Sequence, residues 1–261
     1  MMEATTSPAK QLIRVASLHS AEEMKVCVEL QQRVWGYDPI DTVPDQIFIV
    51  AAKTGGHVLV AYDRDQPIGF ALAFAATRPG QDYLHSHMVA VLEDYQNRGV
   101  GRLLKLAQRE DALVRGFDLI EWTFDPLQLK NARFNVNRLG AVIRQYLPNL
   151  YGRTSSRLHA GLPTDRLVAQ WWIRAPRVAS ILNNSPRPQL VHPPQSSNGP
   201  RAIVSIPADI RDICRDDPAA AREIQSAIRE QFTAHFARGL AVVAFDLNSQ
   251  HGSYLLEPYE N

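Results

Sequence analysis

The residues best placed to do chemistry lie together from Val89 to Gly101, a segment that reads VAVLEDYQNRGVG. An apolar run of strand type enters a polar turn. Gln96, Asn97, Arg98, Gly99, Val100 and Gly101 then lead into a helical pattern. Glycines where a strand becomes a helix let a ligand approach the backbone closely. The first amides of a helix lack internal acceptors, and the helix dipole adds partial positive charge there. Such a terminus suits a pyrophosphate, and Arg98 and Arg102 would add charge-assisted bonds to it. A glycine turn that serves only helix–strand packing is the competing reading. The segment has neither the Gly-Lys-Ser/Thr of a Walker loop nor the G-x-G-x-x-G of a dinucleotide fingerprint.

The pattern Q/R-x-x-G-x-G/A after a strand is the acyl-CoA pyrophosphate signature of the GNAT N-acyltransferase superfamily. Gln96 to Gly101 match it, and the chain resembles that superfamily over residues 10–175, with Tyr95 and the order of elements around the motif included. The resemblance implies a mixed twisted central sheet with flanking helices. Two parallel neighbouring strands would splay apart, one ending near Val91 and the other running from Phe117 to Phe124. The pantetheine arm of an acyl-CoA, with acetyl-CoA as the default donor, would lie in that gap. It would meet main chain around Met88, Val89 and Val91, and the pyrophosphate would meet the amides of Asn97 to Arg102. An amine acceptor of unknown identity would enter from the opposite side. A second block runs from Asn131 to Ala141 (NARFNVNRLGA). Many members carry an Asn at the head of this helix and a Tyr before a Leu-Gly end. Asn131 matches the first and Leu139-Gly140 the second, but Val136 stands where the tyrosine acid is usual. Asn131 and Asn135 share a helix face. They either bind the pantetheine or the acceptor, or cap the helix and face solvent.

Acyl transfer from a thioester to an amine requires the amine to lose its proton, so a base is needed. His85, His87 and Glu121 are the candidates. His85 and His87 are two apart on a strand and share a face, with two structural or surface histidines as the alternative and no third metal ligand placed beside them. Glu121 sits within a strand, where a carboxylate needs a partner or a function. Tyr146 and Tyr151 are candidate acids, and packing is their alternative role. Arg144 and Arg153 would suit an acceptor carboxylate or stand in solvent. Neither Cys27 nor Cys214 lies near the motif, so no cysteine nucleophile and no metal site is expected.

These residues need elements to hold them. A strand at Leu12–Ala16, a helix over 21–34 opened by a Ser20/Glu23 capping box and a short helix after Pro44 are predicted. A three-strand meander follows at His57–Tyr62, Pro67–Ala76 and Tyr83–Leu92. Helix Arg98–Gly116, strand Phe117–Phe124, helix 129–138 and strand Ala141–Tyr146 alternate in a way that favours parallel pairing. Arg166–Ile173 is one more strand. The stretch 183–200 holds five prolines and reads as a linker. Beyond it come a strand at Arg201–Ile206, a helix from Asp217-Pro218 to Arg238 and strands at Leu240–Phe245 and Ser253–Leu256.

The expected organisation is thus a GNAT-type α/β domain at 10–175, a linker at 183–200 and a small α/β appendix at 201–257. The appendix would complete the sheet, cover the acceptor groove or form a homodimer contact. With 28 Lys+Arg against 27 Asp+Glu, the net charge of +1 argues against a nucleic-acid partner held by bulk electrostatics. The longest nearly apolar run, Ile68 to Ala76, is too short for a bilayer. Two distant cysteines make no disulfide framework, so a reducing cytoplasm is the expected setting. The function expected is acyl-CoA-dependent N-acyl transfer by direct attack. A non-catalytic acyl-CoA sensor or scaffold is the alternative.

Overall fold

The computed structural model describes residues 13–152, 161–183 and 201–259. Beyond Asn183 the Pro-rich stretch lies outside them, as does Arg153.

Among the described residues ten strands form one sheet. The first half contains β1 (Ile13–Ser17), α1 (Ala21–Trp35), α2 (Asp45–Lys53), β2 (His57–Asp63), β3 (Gln66–Arg78), β4 (Gln81–Val91), α3 (Val100–Val114) and β5 (Leu119–Phe124). Then come α4 (Leu129–Arg133), a π-helical turn (Phe134–Leu139), β6 (Val142–Leu147), β7 (Arg166–Trp172) and α5 (Pro176–Leu182). The last part is β8 (Ala202–Pro207), α6 (Ile210–Asp216), α7 (Pro218–Ala237), β9 (Leu240–Leu247) and β10 (His251–Pro258). Among the described residues no helix is long and apolar enough to cross a membrane.

The strand order is β1-β2-β3-β4-β5-β7-β6-β9-β10-β8. Among the described residues only β4 and β5 pair in parallel; every other neighbouring pair is antiparallel. This corrects the expectation of parallel pairing across β5 and β6. β7 inserts between them, and it bonds β5 over six residue pairs, Leu119↔Trp172 to Phe124↔Leu167. The expected helix over 129–138 is also two pieces, an α turn and then a π turn. The C-terminal strands extend the same sheet, with β9 joining β6 at Ile143↔Val242.

Alternation along the strands separates two cores. Val58, Val60, Phe70, Leu72, Met88 and Ala90 face α1 and α2, where Met24, Leu30 and Phe48 are buried against them. Leu59, Ala61 and Ala71 face the other way and pack on Val100 and Leu104 of α3. A third cluster continues toward the C-terminus, where Phe232 of α7 stacks on Tyr146 of β6 with ring centroids 5.8 Å apart. Helix α1 starts with both halves of its capping box formed, as the Ser20/Glu23 spacing predicts.

Candidate active site

The site begins where β4 and β5 stop pairing. Leu84 faces Ile120 and His85 faces Glu121; no pair follows. On its other edge β4 carries a bulge, because Leu72 pairs with Met88 while Ala73 pairs with Ser86, leaving His87 as the extra residue. A bulge bends and twists its strand, and here it turns β4 away from a β5 held by β7. The fork opens into a cleft of about 700 Å³. From one arm it is lined by Ser86, His87, Met88, Val89 and Val91, and from the other by Trp122, Thr123, Phe124 and Asp125. Main-chain groups of the two arms that face each other have no strand partner there and need another partner.

The glycine loop closes one end. Asn97 and Gly99 both have left-handed backbones, with φ of 60° and 86°. The first bond of α3 runs from Leu103 N to Gly99 O at 3.0 Å, and no side chain caps the helix. The amides of Val100, Gly101 and Arg102 therefore precede the helical ladder. Gly101 lines the cleft, and a Cβ built on it meets nothing within 4 Å. The neighbouring side chains have other duties. Gln96 Nε2 donates to Val91 O at 3.1 Å, Arg98 lies over the Tyr95 ring at 5.5 Å, and Val100 is buried against the β-sheet. Arg102 Nη2 donates to Leu182 O at 3.5 Å. What this loop offers an anion is thus main chain more than guanidinium.

Asn131 and Asn135 reach the cleft from α4 and the π turn. Asn135 is 1% exposed, and its Nδ2 has no hydrogen-bond partner. An orphaned buried donor beside an open cleft is a group that a ligand would satisfy. Val136, which stands where the resemblance leads one to expect a tyrosine, is fully buried in the core.

Of the catalytic candidates, His87 and Tyr151 line the cleft and Glu121 does not. His87 is exposed toward it, with its ring 6.0 Å from that of His85 and 5.7 Å from that of Phe74. Loss of solvation lowers the pKa of His87, with His85 beside it adding to the shift, and loss of solvation likewise lowers that of His85, whose second basic neighbour is Lys105. Both imidazoles are therefore neutral at pH 7. Tyr151 OH and Thr123 Oγ1 are 3.0 Å apart. Glu121 accepts from Arg78 Nη1 at 3.1 Å and Gln170 Nε2 at 3.3 Å. Tyr146 OH donates a hydrogen bond to the buried Asp165 at 2.6 Å, away from the cleft lining. Arg144 approaches Gln170 Oε1 at 3.4 Å. Cys27 is buried in the core, and that burial pushes its thiol up to about 12. A thiol so raised is a poor nucleophile.

Two polar residues of the cleft carry no signal in the sequence. Asp125 follows β5 directly, and burial raises its carboxyl pKa against the opposing bond from Leu127 N at 2.8 Å. Lys105 of α3 is 3% exposed and stands at the crotch of the fork. Its Nζ donates to Ser86 Oγ at 2.8 Å and lies 3.6 Å from the centroid of the Trp122 ring. Ser86 donates to Gln108 Oε1 at 2.9 Å, and Gln108 Nε2 approaches His57 Nε2 at 3.0 Å. An amide nitrogen only donates, so His57 Nε2 accepts and His57 Nδ1 donates to Asp111 at 2.6 Å. Burial alone would raise Asp111, but His57 and Arg115 together hold its carboxyl below the usual value.

Comparison with known proteins agrees with this geometry. Residues 54–134, which span the meander, the glycine loop and the head of the π turn, match the family model of the acetyltransferase (GNAT) domain. The fold is shared with a GNAT-family protein from Desulfovibrio desulfuricans, at 16% identity and a TM-score of 0.51, over 62% of this chain and 99% of that one. It is shared also with the ribosomal-protein-S18-alanine N-acetyltransferase of Escherichia coli, at 15% identity and a TM-score of 0.50, over 62% of this chain and 94% of that one. No curated protein matches the sequence. Residues 54–134 thus match the GNAT acetyltransferase domain model, and the chain has the GNAT fold.

Proposed function

We propose that the protein is an acyl-CoA-dependent N-acyltransferase that moves an acetyl group from acetyl-CoA to an amine by direct attack. The observation that carries this reading is the fork. Two parallel strands part beyond His85 and Glu121 and open a cleft that ends at the uncapped start of α3. The pyrophosphate would sit on the amides from Val100 to Arg102, where dipole and free donors coincide. The pantetheine would bond to the unpaired edge of β4 around Met88 to Val91 and receive the Asn135 amide. Backbone donors at the bulge would stabilise the tetrahedral oxyanion. His87, neutral and open to the cleft, is the proposed base, acting directly or through one water. Tyr151 is the proposed proton donor toward the leaving thiolate. Glu121 enters as the anchor of Arg78. Acceptor amines would approach past Tyr37, Asp41 and Tyr151, which rim the cleft.

Titration calorimetry with acetyl-CoA tests the reading. Binding by the natural chain and its loss in Gly101→Trp are expected, since Gly101 lines the cleft and an indole there would crowd its loop end. A chain that does not bind acetyl-CoA would overturn it. A sensor that binds without turnover is the second reading, favoured by the buried Val136 in place of a tyrosine. Thiol release measured across a panel of small amines, amino acids and peptide N-termini separates the two.

A further inference from the structure

The basic residues of this chain are unevenly chosen. Of its 28 lysines and arginines, five are lysines: Lys10, Lys25, Lys53, Lys105 and Lys130. Lys25, Lys53 and Lys130 are exposed. The fork is thus occupied by a lysine in a chain that uses arginine almost everywhere else. The difference is chemical, because an arginine in a protein keeps its proton and a buried lysine can lose it.

The surroundings of Lys105 fit the neutral amine. Such an amine has two N–H groups and one lone pair. One N–H goes to Ser86 Oγ and the other has the face of Trp122. Ser86 cannot take a proton role of its own, since its hydrogen is committed to Gln108 in a chain that runs on to His57 and Asp111. Among the described residues no carboxylate forms an ion pair with Lys105. Among the described residues no further protein acceptor meets a third N–H. The lone pair is what remains, in a residue that lines the cleft at the point where its two arms meet. Burial also carries the amine well below the ordinary lysine pKa, so the uncharged form is far more populated at pH 7 than in an exposed lysine.

We infer that Lys105 is itself an acyl acceptor, and that the cleft acylates it from a bound acyl-CoA. The inference rests on the acyl-CoA reading above. The lone pair of Nζ adds to the thioester carbonyl, the C–S bond breaks and an amide forms. The departing thiolate takes the proton lost by the nitrogen, which yields free CoA thiol with no further reagent. The amide keeps one N–H for Ser86. Because an amide is not a leaving group for a second transfer, the event occurs once per chain and fills the crotch of the fork. It would record exposure to acyl-CoA in the absence of another acceptor.

The test incubates the full chain with acetyl-CoA at pH 7, follows intact mass and maps the modified residue by peptide mass spectrometry. Calorimetry with acetyl-CoA runs in parallel. The expected result is one acetyl group per chain, on Lys105, forming on the order of a hundredfold faster than on the exposed Lys25, Lys53 or Lys130, which are almost wholly protonated at that pH. Lys105→Met is expected to bind acetyl-CoA and gain no mass. The natural chain carries the test by itself if that variant does not fold. Binding with no label on Lys105, or with label at the rate of the exposed lysines, would overturn the inference and leave the acyl-CoA reading standing. No binding at all would take down both.

Discussion

Between β4 and β5 the sheet holds over two residue pairs, Leu84↔Ile120 and His85↔Glu121. Between β6 and β9 it holds over one, Ile143↔Val242. Both are thin seams, yet only the first becomes a cleft. At the second, side chains replace the missing ladder. Asn137 donates to Phe245 O at 2.6 Å and accepts from Phe245 N at 3.1 Å, across the seam. Arg177 ties Gly140 O, ahead of β6, to Val243 O of β9. Beneath them the apolar cluster continues without a break from Ile143 to Val242 and Tyr254. At the fork the same kinds of group are left open, as with the Asn135 amide and the edges of β4 and β5. A gap in a sheet is a binding site when its polar groups have been left for something else, and a mere join when the protein satisfies them itself.

This contrast breaks most readily where the C-terminal part is tied down. Asp165 is wholly buried and accepts from Tyr146 OH at 2.6 Å, Asn149 N at 2.9 Å and the Arg229 guanidinium of α7 at 2.9 and 3.1 Å. Asp165→Ala leaves those donors without their acceptor and is expected to cost about 3 kcal/mol of stability in urea unfolding. The turn that carries Tyr151 begins at Asn149, so acyl transfer should fall with it. A loss well under 1 kcal/mol would show that the join is held by the apolar cluster alone.

The fork should respond to pH in the opposite sense to a salt-bridged lysine. Burial lowers the folded pKa of Lys105 well below the ordinary lysine value of 10.5, so between those two values the chain takes up a proton on unfolding. The unfolded chain then binds more protons, so this residue's contribution to stability rises with pH across that window. Lys105→Met removes the group and its titration. The variant is expected to melt a few degrees above the natural chain at pH 7, and the gap should narrow as pH climbs toward 10. A gap that stays constant with pH would mean that the amine keeps its proton in the fold. His85 and His87, whose pKa values are lowered, act at the acid end. Their contribution is present above 6.5 and is lost as pH falls through that value toward their folded values.

How much of this could be read beforehand depended on how local the cause was. The Ser20/Glu23 cap, the meander and the glycine loop are written in short spacings, and they form where those spacings place them. Helices α5 and α6 are seven residues each and too brief to show a period. The insertion of β7 between β5 and β6 is a long-range pairing that no local pattern encodes. Lys105 is the sharpest case. In RLLKLAQRE it reads as an ordinary polar position on an amphipathic helix. Only the register of α3 over the fork, which sets it against Ser86 nineteen residues earlier, buries it. Asp125 likewise reads as a strand breaker before Pro126, and the cleft forms around it only when β5 leaves β4.

Two asparagines on one π turn give the smallest and cleanest form of the comparison. Asn137 and Asn135 are two residues apart, and the turn sends them to different seams. Asn137 spends both ends of its amide on Phe245. Its replacement by Ala should cost about 1 kcal/mol of stability, the value of ordinary hydrogen bonds at a part-buried site, with acetyl-CoA affinity unchanged. Asn135 is the more buried of the two, which by burial alone would make it the more costly to lose. Its Nδ2, however, has no partner to lose. Asn135→Ala should therefore shift the unfolding midpoint by less than Asn137→Ala does, and weaken acetyl-CoA binding by roughly 2- to 10-fold, the worth of one hydrogen bond. Denaturation and calorimetry on the same pair of variants read both quantities. If Asn135→Ala proves the less stable variant while binding acetyl-CoA normally, its amide belongs to the core, and the fork has one donor fewer to offer a ligand.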